Sequence, residues 1–201
     1  MKFLKYGISS LTVIVFLFSS CQKKTPVVVP EYLSNKEIPD WNEIYPLLLP
    51  SALEWDPDAK LNTAFIQINW QNDPEQRLVS AFFQSPNKDF ETLHLEYLNN
   101  ETVTASVNAH GVPIPNFDLI ERTEWKLNSS DAWNLFLENS NVVSADPKFF
   151  ECSSLVLLKK AIGSEEKKLV WQLSLADCER TVLIQYFIDA GSGDFLGAET
   201  H

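Results

Sequence analysis

The chain has 201 residues, of which 45% are hydrophobic, with 16 basic and 27 acidic side chains and a formal net charge of −11. This composition supplies enough apolar surface for a sizeable core and therefore excludes a disordered chain. The negative charge argues against a nucleic-acid partner and against direct binding to anionic lipid headgroups.

The amino-terminal residues have the features of an export signal. Lys2 and Lys5 precede an apolar stretch at residues 11–18, and Ser19 and Ser20 follow it. A spanning helix would need about 20 apolar residues, and this stretch is shorter. We therefore expect a signal peptide over residues 1–20. An uncleaved anchor is the alternative.

The four residues Phe18-Ser19-Ser20-Cys21 resemble the lipobox of bacterial lipoproteins. In that family the cysteine is acylated and becomes the first residue of the mature protein, so the resemblance implies a lipid anchor on Cys21. Ordinary secretion with an unmodified cysteine is the alternative. Residues 22–24 lack the acidic residues that follow the cysteine in some surface-exposed lipoproteins. The resemblance therefore implies a bacterial outer membrane location, facing the periplasm.

Residues 21–39 separate the anchor from the first periodic pattern. Pro26, Pro30 and Pro39 favour an extended backbone and disfavour a helix. We expect a flexible tether over this segment.

Residues 40–110 read as one helix followed by strands. Asp40 can cap a helix that begins at Trp41, although Pro46 and Pro50 are expected to break it into short pieces. Alternating apolar residues and polar turns then predict strands at 64–70, 77–84, 90–98 and 101–107.

The carboxyl-terminal third repeats this order. Residues 128–139 have a helical pattern, with Trp133 92 residues after Trp41, and strands are predicted at 154–161, 168–175 and 181–189. Residues 111–127 read as a linker. The sequence thus predicts an α+β protein of two tandem helix-plus-antiparallel-sheet repeats, at 40–110 and 128–201. Chance similarity between two α+β segments is the alternative.

Two cysteines remain once Cys21 is assigned to the anchor. Cys152 and Cys178 lie just outside the two predicted strands of one hairpin, at ends that antiparallel pairing brings together. In an oxidising compartment we expect a disulfide between them. A pair of buried free thiols is the alternative.

The ending "YFIDAGSGDFLGAE", residues 186–199, and the strand "LVWQLSL", residues 169–175, resemble PepSY domains. That family ends in a strand, a hydrophobic-Asp-Ala pair, a glycine turn and a short closing strand. The resemblance implies an exported module that acts by binding or by inhibiting peptidases, with no catalytic residues and no cofactor. Two such repeats resemble the architecture of beta-lactamase inhibitory proteins, which bind an enzyme across a concave sheet.

A search for catalytic chemistry finds no pattern. His94, His110 and His201 lack zinc-ligand spacing, and Ser192 lies between glycines in a predicted turn rather than in a nucleophile elbow. We predict a non-enzyme without a metal site. Trp55 and Trp125 lie outside the clear periodic elements, so we select them as candidate exposed binding anchors.

These observations predict a periplasmic, lipid-anchored binding module for a protein or peptide. It is expected to be a monomer that reaches the membrane only through its lipid. The alternative is an accessory lipoprotein that binds a small ligand or glycan in a cystatin-like pocket between helix and sheet.

Overall fold

The structure is a computed structural model that describes residues 27–69, 78–98, 101–112, 118–150, 152–163, 166–176, 179 and 183–201. The predicted signal peptide, Cys21 and Cys178 lie outside these residues, as does Trp70. No helix within the described ranges is both long and apolar enough to cross a membrane.

The described chain combines short helices with long antiparallel strands, as the α+β prediction requires. The helices are α1 (Glu31–Ser34), α2 (Trp41–Trp55), α3 (Ser129–Leu137) and α4 (Ser140–Val143), followed by a 3₁₀ turn at Pro147–Phe150. The strands are β1 (Lys60–Asn69), β2 (Leu78–Gln84), β3 (Glu91–Leu98), β4 (Glu101–Ala109), β5 (Cys152–Lys160), β6 (Lys168–Ala176), β7 (Leu183–Asp189) and β8 (Phe195–Thr200). Each predicted strand is present, and most bounds agree within about two residues.

All eight strands belong to one antiparallel sheet with the order β4-β3-β2-β1-β5-β6-β7-β8. Each half of the chain forms a four-stranded meander, and the two meanders join where β1 pairs with β5. In that pairing Ala64 lies opposite Leu157 and Ile66 lies opposite Leu155. The junction makes the two halves parts of a single sheet with a shared core.

One face of the sheet is covered by the helices, and we call it the covered face. Successive side chains of a strand point to opposite faces, and on β1 the covered face receives Ala64, Ile66 and Ile68, which are all buried. These side chains form one continuous core with the apolar stripes of α2 and α3. Burial of this stripe is the main stabilisation of α2, whose isolated helix would be marginal.

Helix α2 is longer than the sequence suggested. It continues unbroken from Trp41 to Trp55 through Pro46 and Pro50, so the expectation of short pieces is wrong. The two prolines are four residues apart and both are exposed, so the backbone carbonyls that lose a partner lie on the solvent side, where water can bond to them. Asp40 caps the helix as predicted, accepting from the backbone N–H groups of Asn42 and Glu43.

The predicted tether ends earlier than residue 39. Residues 31–34 form α1, and Leu33 is fully buried in the core, while the ring of Tyr32 meets Phe150 edge-on at 6.1 Å. The prediction of a helix-free tether is therefore wrong for its last part. A proline at the N-cap position, here Pro30, is compatible with a helix that begins after it.

The predicted linker is also part of the core. Ile120 is buried, and its N–H donates to the carbonyl of Leu61 at 2.7 Å. Further along, the N–H groups of Lys126 and Leu127 both donate to the carbonyl of Ala190 at 3.0 Å. The described part of this segment is thereby bonded to the first strand of one half and the last turn of the other.

Candidate functional site

The face of the sheet opposite the helices has no covering layer among the described residues, and we call it the open face. Several of its side chains are nevertheless buried. Val170, Phe187 and Ala176 are at most 7% exposed, yet they do not belong to the core that the helices share. The open face is therefore partly shielded from solvent along β6 and β7.

A row of polar side chains crosses the open face at one level. Strand pairing places Gln67 beside Ser154, Ser154 beside Ser174, Ser174 beside Gln185, and Gln185 beside Glu199. We call these five residues the polar row. It extends over β1, β5, β6, β7 and β8, which means that both halves of the chain supply it.

A second row lies next to the polar row and is mainly apolar. Strand pairing places Phe65 beside Val156, Val156 beside Gln172, and Gln172 beside Phe187. Ser80 continues this row onto β2, opposite Phe65. The open face therefore combines apolar contact area with neutral hydrogen-bonding groups.

A cavity of about 640 Å³ opens over the polar row and Phe65, and its volume is within the range of small-molecule sites. Its lining comprises Phe65, Gln67, Cys152, Ser153, Ser154, Ser174, Ala176, Leu183, Gln185 and His201.

One end of the polar row carries charge and the middle is neutral. Lys160 Nζ donates to Gln185 Oε1 at 3.1 Å and to Glu199 Oε2 at 2.8 Å, and it lies 4.4 Å from the centre of the Phe187 ring. The hydrogen bond from Lys160 is the largest cause that holds the pKa of Glu199 below its ordinary value. In the middle of the row, Gln172 Nε2 donates to Ser174 Oγ at 2.8 Å.

An aromatic pair extends the open face onto the first half. The rings of Phe82 on β2 and His94 on β3 stack with centroids 4.5 Å apart and planes 3° from parallel. His94 Nε2 also lies 3.6 Å from Glu96 Oε1. Alternation along β3 places His94 on the face opposite the buried Leu93 and Leu95.

Trp125 is not an exposed anchor, which corrects the sequence interpretation. It is 1% exposed, and its indole N–H donates to Asn42 Oδ1 at 3.0 Å. Its ring meets Tyr45 edge-on at 5.1 Å and Arg122 stacks 4.7 Å above it. The segment has no periodic pattern because it is neither helix nor strand, yet tertiary contacts with α2 bury it.

Trp55 is half-buried at the end of α2 and packs against the core on the covered side. Lys88 Nζ lies 4.6 Å above the centre of its ring. Trp55 is therefore remote from the open-face rows, and its role as an anchor stays a prediction.

Cys152 begins β5 and is disulfide-bonded. The register of β5 with β6, in which Ser154 lies opposite Ser174, continues to place Cys152 near Ala176. Cys178 follows two residues later but lies outside the described residues, so its pairing with Cys152 stays a prediction.

A second cavity lies between the helices and the sheet, and we call it the helix–sheet cleft. It has a volume of about 500 Å³, with Ile44, Val79 and Trp133 among its apolar lining and Lys36 and Glu43 among its polar lining. Burial lowers the pKa of Lys36 below its ordinary value.

Ser192 lies in the turn before β8, where its Oγ donates to Asp194 Oδ2 at 2.7 Å and its N–H donates to Asp189 Oδ1. This is the glycine turn that the sequence predicted. Among the side chains that the structure describes, no three His, Cys, Asp or Glu residues form a group that could hold a metal ion.

No family model matches the chain, and no curated protein matches it. Among solved structures, a candidate lipoprotein from Clostridium difficile 630 matches with a TM-score of 0.47 and 9% sequence identity, over 78% of this chain and 92% of that one. The resemblance to PepSY domains therefore stays an interpretation of the sequence.

Proposed function

We propose that this chain is a non-enzymatic, lipid-anchored binding module that recognises a protein or peptide partner through the open face of its sheet. The observation that carries the proposal is the cavity of about 640 Å³ over the polar row on a face that no described element covers. Ligand and partner sites are concave and largely apolar, with a few placed polar groups.

The residues of the open face suit recognition better than covalent chemistry. Ser174 Oγ accepts from the amide of Gln172, and an amide cannot act as a general base for a serine nucleophile. The amides of Gln67 and Gln185 can both donate and accept. Such groups fit the main-chain N–H and C=O groups of a partner, while the partly exposed ring of Phe65 provides apolar contact area.

The anchor part of the proposal rests on the lipobox resemblance at Cys21. Acylation would hold the module at the bacterial outer membrane, on the periplasmic side. Metabolic labelling with a clickable palmitate should label the wild-type chain and Cys178→Ser, and Cys21→Ser should lose the label. A labelled Cys21→Ser protein would contradict the anchor without bearing on the open face.

A site-specific photo-crosslinker tests the open face. We expect p-benzoylphenylalanine at position 65 to form adducts with discrete polypeptides in intact cells of the source organism. The matched control carries the same group in place of Leu53, which is 42% exposed on α2. Adducts of equal yield from positions 65 and 53 would overturn the proposal.

A substitution that narrows the cavity provides a second test of the open face. Gln67 is exposed at the start of the polar row, so Gln67→Arg adds bulk and charge without disturbing the core. We expect the adduct yield from position 65 to fall at least about tenfold, as for a hot-spot contact. Leu53→Arg should leave it unchanged.

The tandem-repeat interpretation forms part of the same proposal. In each half a helix is followed by a four-stranded meander. The first strands of the two meanders, β1 and β5, lie side by side and antiparallel. Two copies of one unit related by a two-fold axis between β1 and β5 would produce this order. The polar row would then lie across the junction between the copies.

The helix–sheet cleft favours the alternative function. Its volume and its mixture of apolar and polar lining fit a small ligand or glycan held between helix and sheet. Ile44 forms part of its wall, so Ile44→Trp should fill the cleft. This alternative would be favoured if Ile44→Trp lost the partner adducts that form from position 65 while Gln67→Arg retained them.

A further inference from the structure

The two edges of the sheet differ in how well they are protected against pairing with another strand. Unpaired strand edges tend to associate, and proteins usually protect them with short strands, charges, proline or bulges. β8 forms one edge and β4 forms the other.

The β8 edge carries several of these protective features. The strand has six residues, Gly197 has φ 134°, and the pairing with β7 shifts register between Phe187 and Ile188. Glu199 forms an ion pair with Lys160 at 2.8 Å. A second strand would meet an irregular backbone and charged side chains here.

The β4 edge is longer and nearly neutral. Glu101–Ala109 contains a single charged residue, Glu101, and neither lysine, arginine nor proline. A register shift against β3 interrupts the strand between Thr102 and Thr104, but from Thr104 to Ala109 the pairing is regular. The side chains from residue 105 to residue 110 are all exposed, including Val107 at 48%.

The direction of the free backbone groups follows from one hydrogen bond. The N–H of His110 donates to the carbonyl of Phe90 at 2.7 Å, so His110 faces the β3 side. Backbone groups alternate along an antiparallel strand, which means that Ala105, Val107 and Ala109 direct their N–H and C=O groups away from β3. Within the described part of the chain, no strand pairs with this side of β4.

We propose that β4 pairs antiparallel with β4 of a second copy of this chain, with Val107 opposite Val107 and Ala105 opposite Ala109. In this register the outward N–H and C=O groups of Ala105, Val107 and Ala109 are all bonded, because the two residues of each hydrogen-bonded pair exchange both N–H···O bonds. It also places Ser106 opposite Asn108, so polar side chains meet polar side chains. The product would be one continuous sheet through both copies.

Self-pairing fits this edge better than a charged partner strand does. The pattern from Ala105 to Ala109 is nearly symmetric about Val107, as a two-fold interface requires. The net charge of −11 on each copy opposes association, so we expect a reversible dimer that strengthens with ionic strength. This departs from the monomer that the sequence suggested, because an unprotected edge appears only once the strand order is known.

A disulfide cross-link tests the register. Opposed residues of a hydrogen-bonded pair have Cα atoms about 5.5 Å apart, within the range that a disulfide spans. Full-length Val107→Cys expressed in cells under mild oxidation should give at least about tenfold more disulfide-linked dimer than Phe195→Cys, a matched exposed position on the β8 edge. Mass spectrometry should identify the linked peptides as two copies around position 107.

A second pair of variants tests the backbone bonds. Ala105→Pro with Ala109→Pro removes two outward donors without removing a bond to β3, and should abolish the cross-link of Val107→Cys. Ala105→Ser with Ala109→Ser keeps the donors and should retain it. Equal cross-linking of Val107→Cys and Phe195→Cys, no cross-link, linkage to another polypeptide, or a dimer that persists in the proline variant would each overturn the proposal.

Discussion

The two faces of the sheet are both buried along β6, yet they are built differently. On the covered face β6 presents Leu169, Trp171, Leu173 and Leu175, and on the open face it presents Val170, Gln172, Ser174 and Ala176. The first set is large and apolar and shares one core with the helices. The second set is small or polar and lies outside that core. Low exposure alone therefore does not distinguish the helix-covered core from the open face, whereas side-chain size and chemistry do.

The largest expected effect on stability comes from a comparison of substitutions at two neighbouring residues of β6. Trp171 is fully buried, and its indole N–H donates to the carbonyl of Leu127 at 2.9 Å. Trp171→Ala should lower the free energy of unfolding by about 3–5 kcal/mol, measured by denaturant titration. Gln172→Ala, on the opposite face, should cost about 1 kcal/mol. Similar losses for the two variants would remove the distinction between the faces.

An intermediate effect compares two buried serines. Ser129 is fully buried on the covered side, where its Oγ accepts from the N–H of Trp41 at 2.9 Å and donates to the carbonyl of Pro39. Ser129→Ala removes the hydroxyl that bonds the N–H of Trp41 and the carbonyl of Pro39, and it should lower the free energy of unfolding by about 1–3 kcal/mol.

The matched control is Ser174→Ala on the open face, where Ser174 lines the cavity, so water in the cavity can replace the acceptor that the Gln172 amide loses. We expect it to cost less than about 1 kcal/mol. A larger loss for Ser174→Ala than for Ser129→Ala, in the same denaturant titration, would show that the open face contributes more to stability than the helix junction.

The smallest expected effect concerns the charged end of the polar row. The hydrogen bond from Lys160 lowers the pKa of Glu199, so the ionised form stabilises the fold above the unfolded-state pKa, about 4.3. This contribution is lost as the pH falls through the lower pKa of the folded state. Because Lys160 and Glu199 are partly exposed, this contribution to the free energy of unfolding should be below about 1 kcal/mol.

Unfolding of the wild type and Glu199→Gln, measured between pH 7 and pH 3, checks this sign. The difference in the free energy of unfolding should be constant above about pH 5 and should vanish at the acid end. Lys160→Met should remove the same pH-dependent part. A difference that grows towards low pH would contradict the assignment.

The strands were predictable because their signal is local. The alternation of Leu93, Leu95 and Tyr97, and of Leu169, Trp171 and Leu173, needs only a buried face on each strand. The cap at Asp40 and the turn after Asp189 are equally local. The length of α2 was not predictable from its prolines, because whether a lost hydrogen bond faces water depends on how the helix packs.

The candidate site could not be predicted in the same way. Gln67, Ser154, Ser174 and Gln185 belong to four different strands, and no spacing in the chain relates them. Their alignment depends on the register of β1 with β5, which pairs the two halves. Trp125 failed as an exposed anchor for the same reason, since its burial comes from α2, far away along the chain.

The sequence by itself determined the α+β class, the positions of most strands and the glycine turn after Asp189, because periodicity and turn chemistry act over a few residues. Only the tertiary structure decided that the two meanders join into one sheet and, among the residues that the structure describes, that one face lies open over a polar row and that β4 forms an unprotected edge. Those outcomes depend on long-range strand pairing, in which hydrogen bonds and buried area are gained only after distant segments meet.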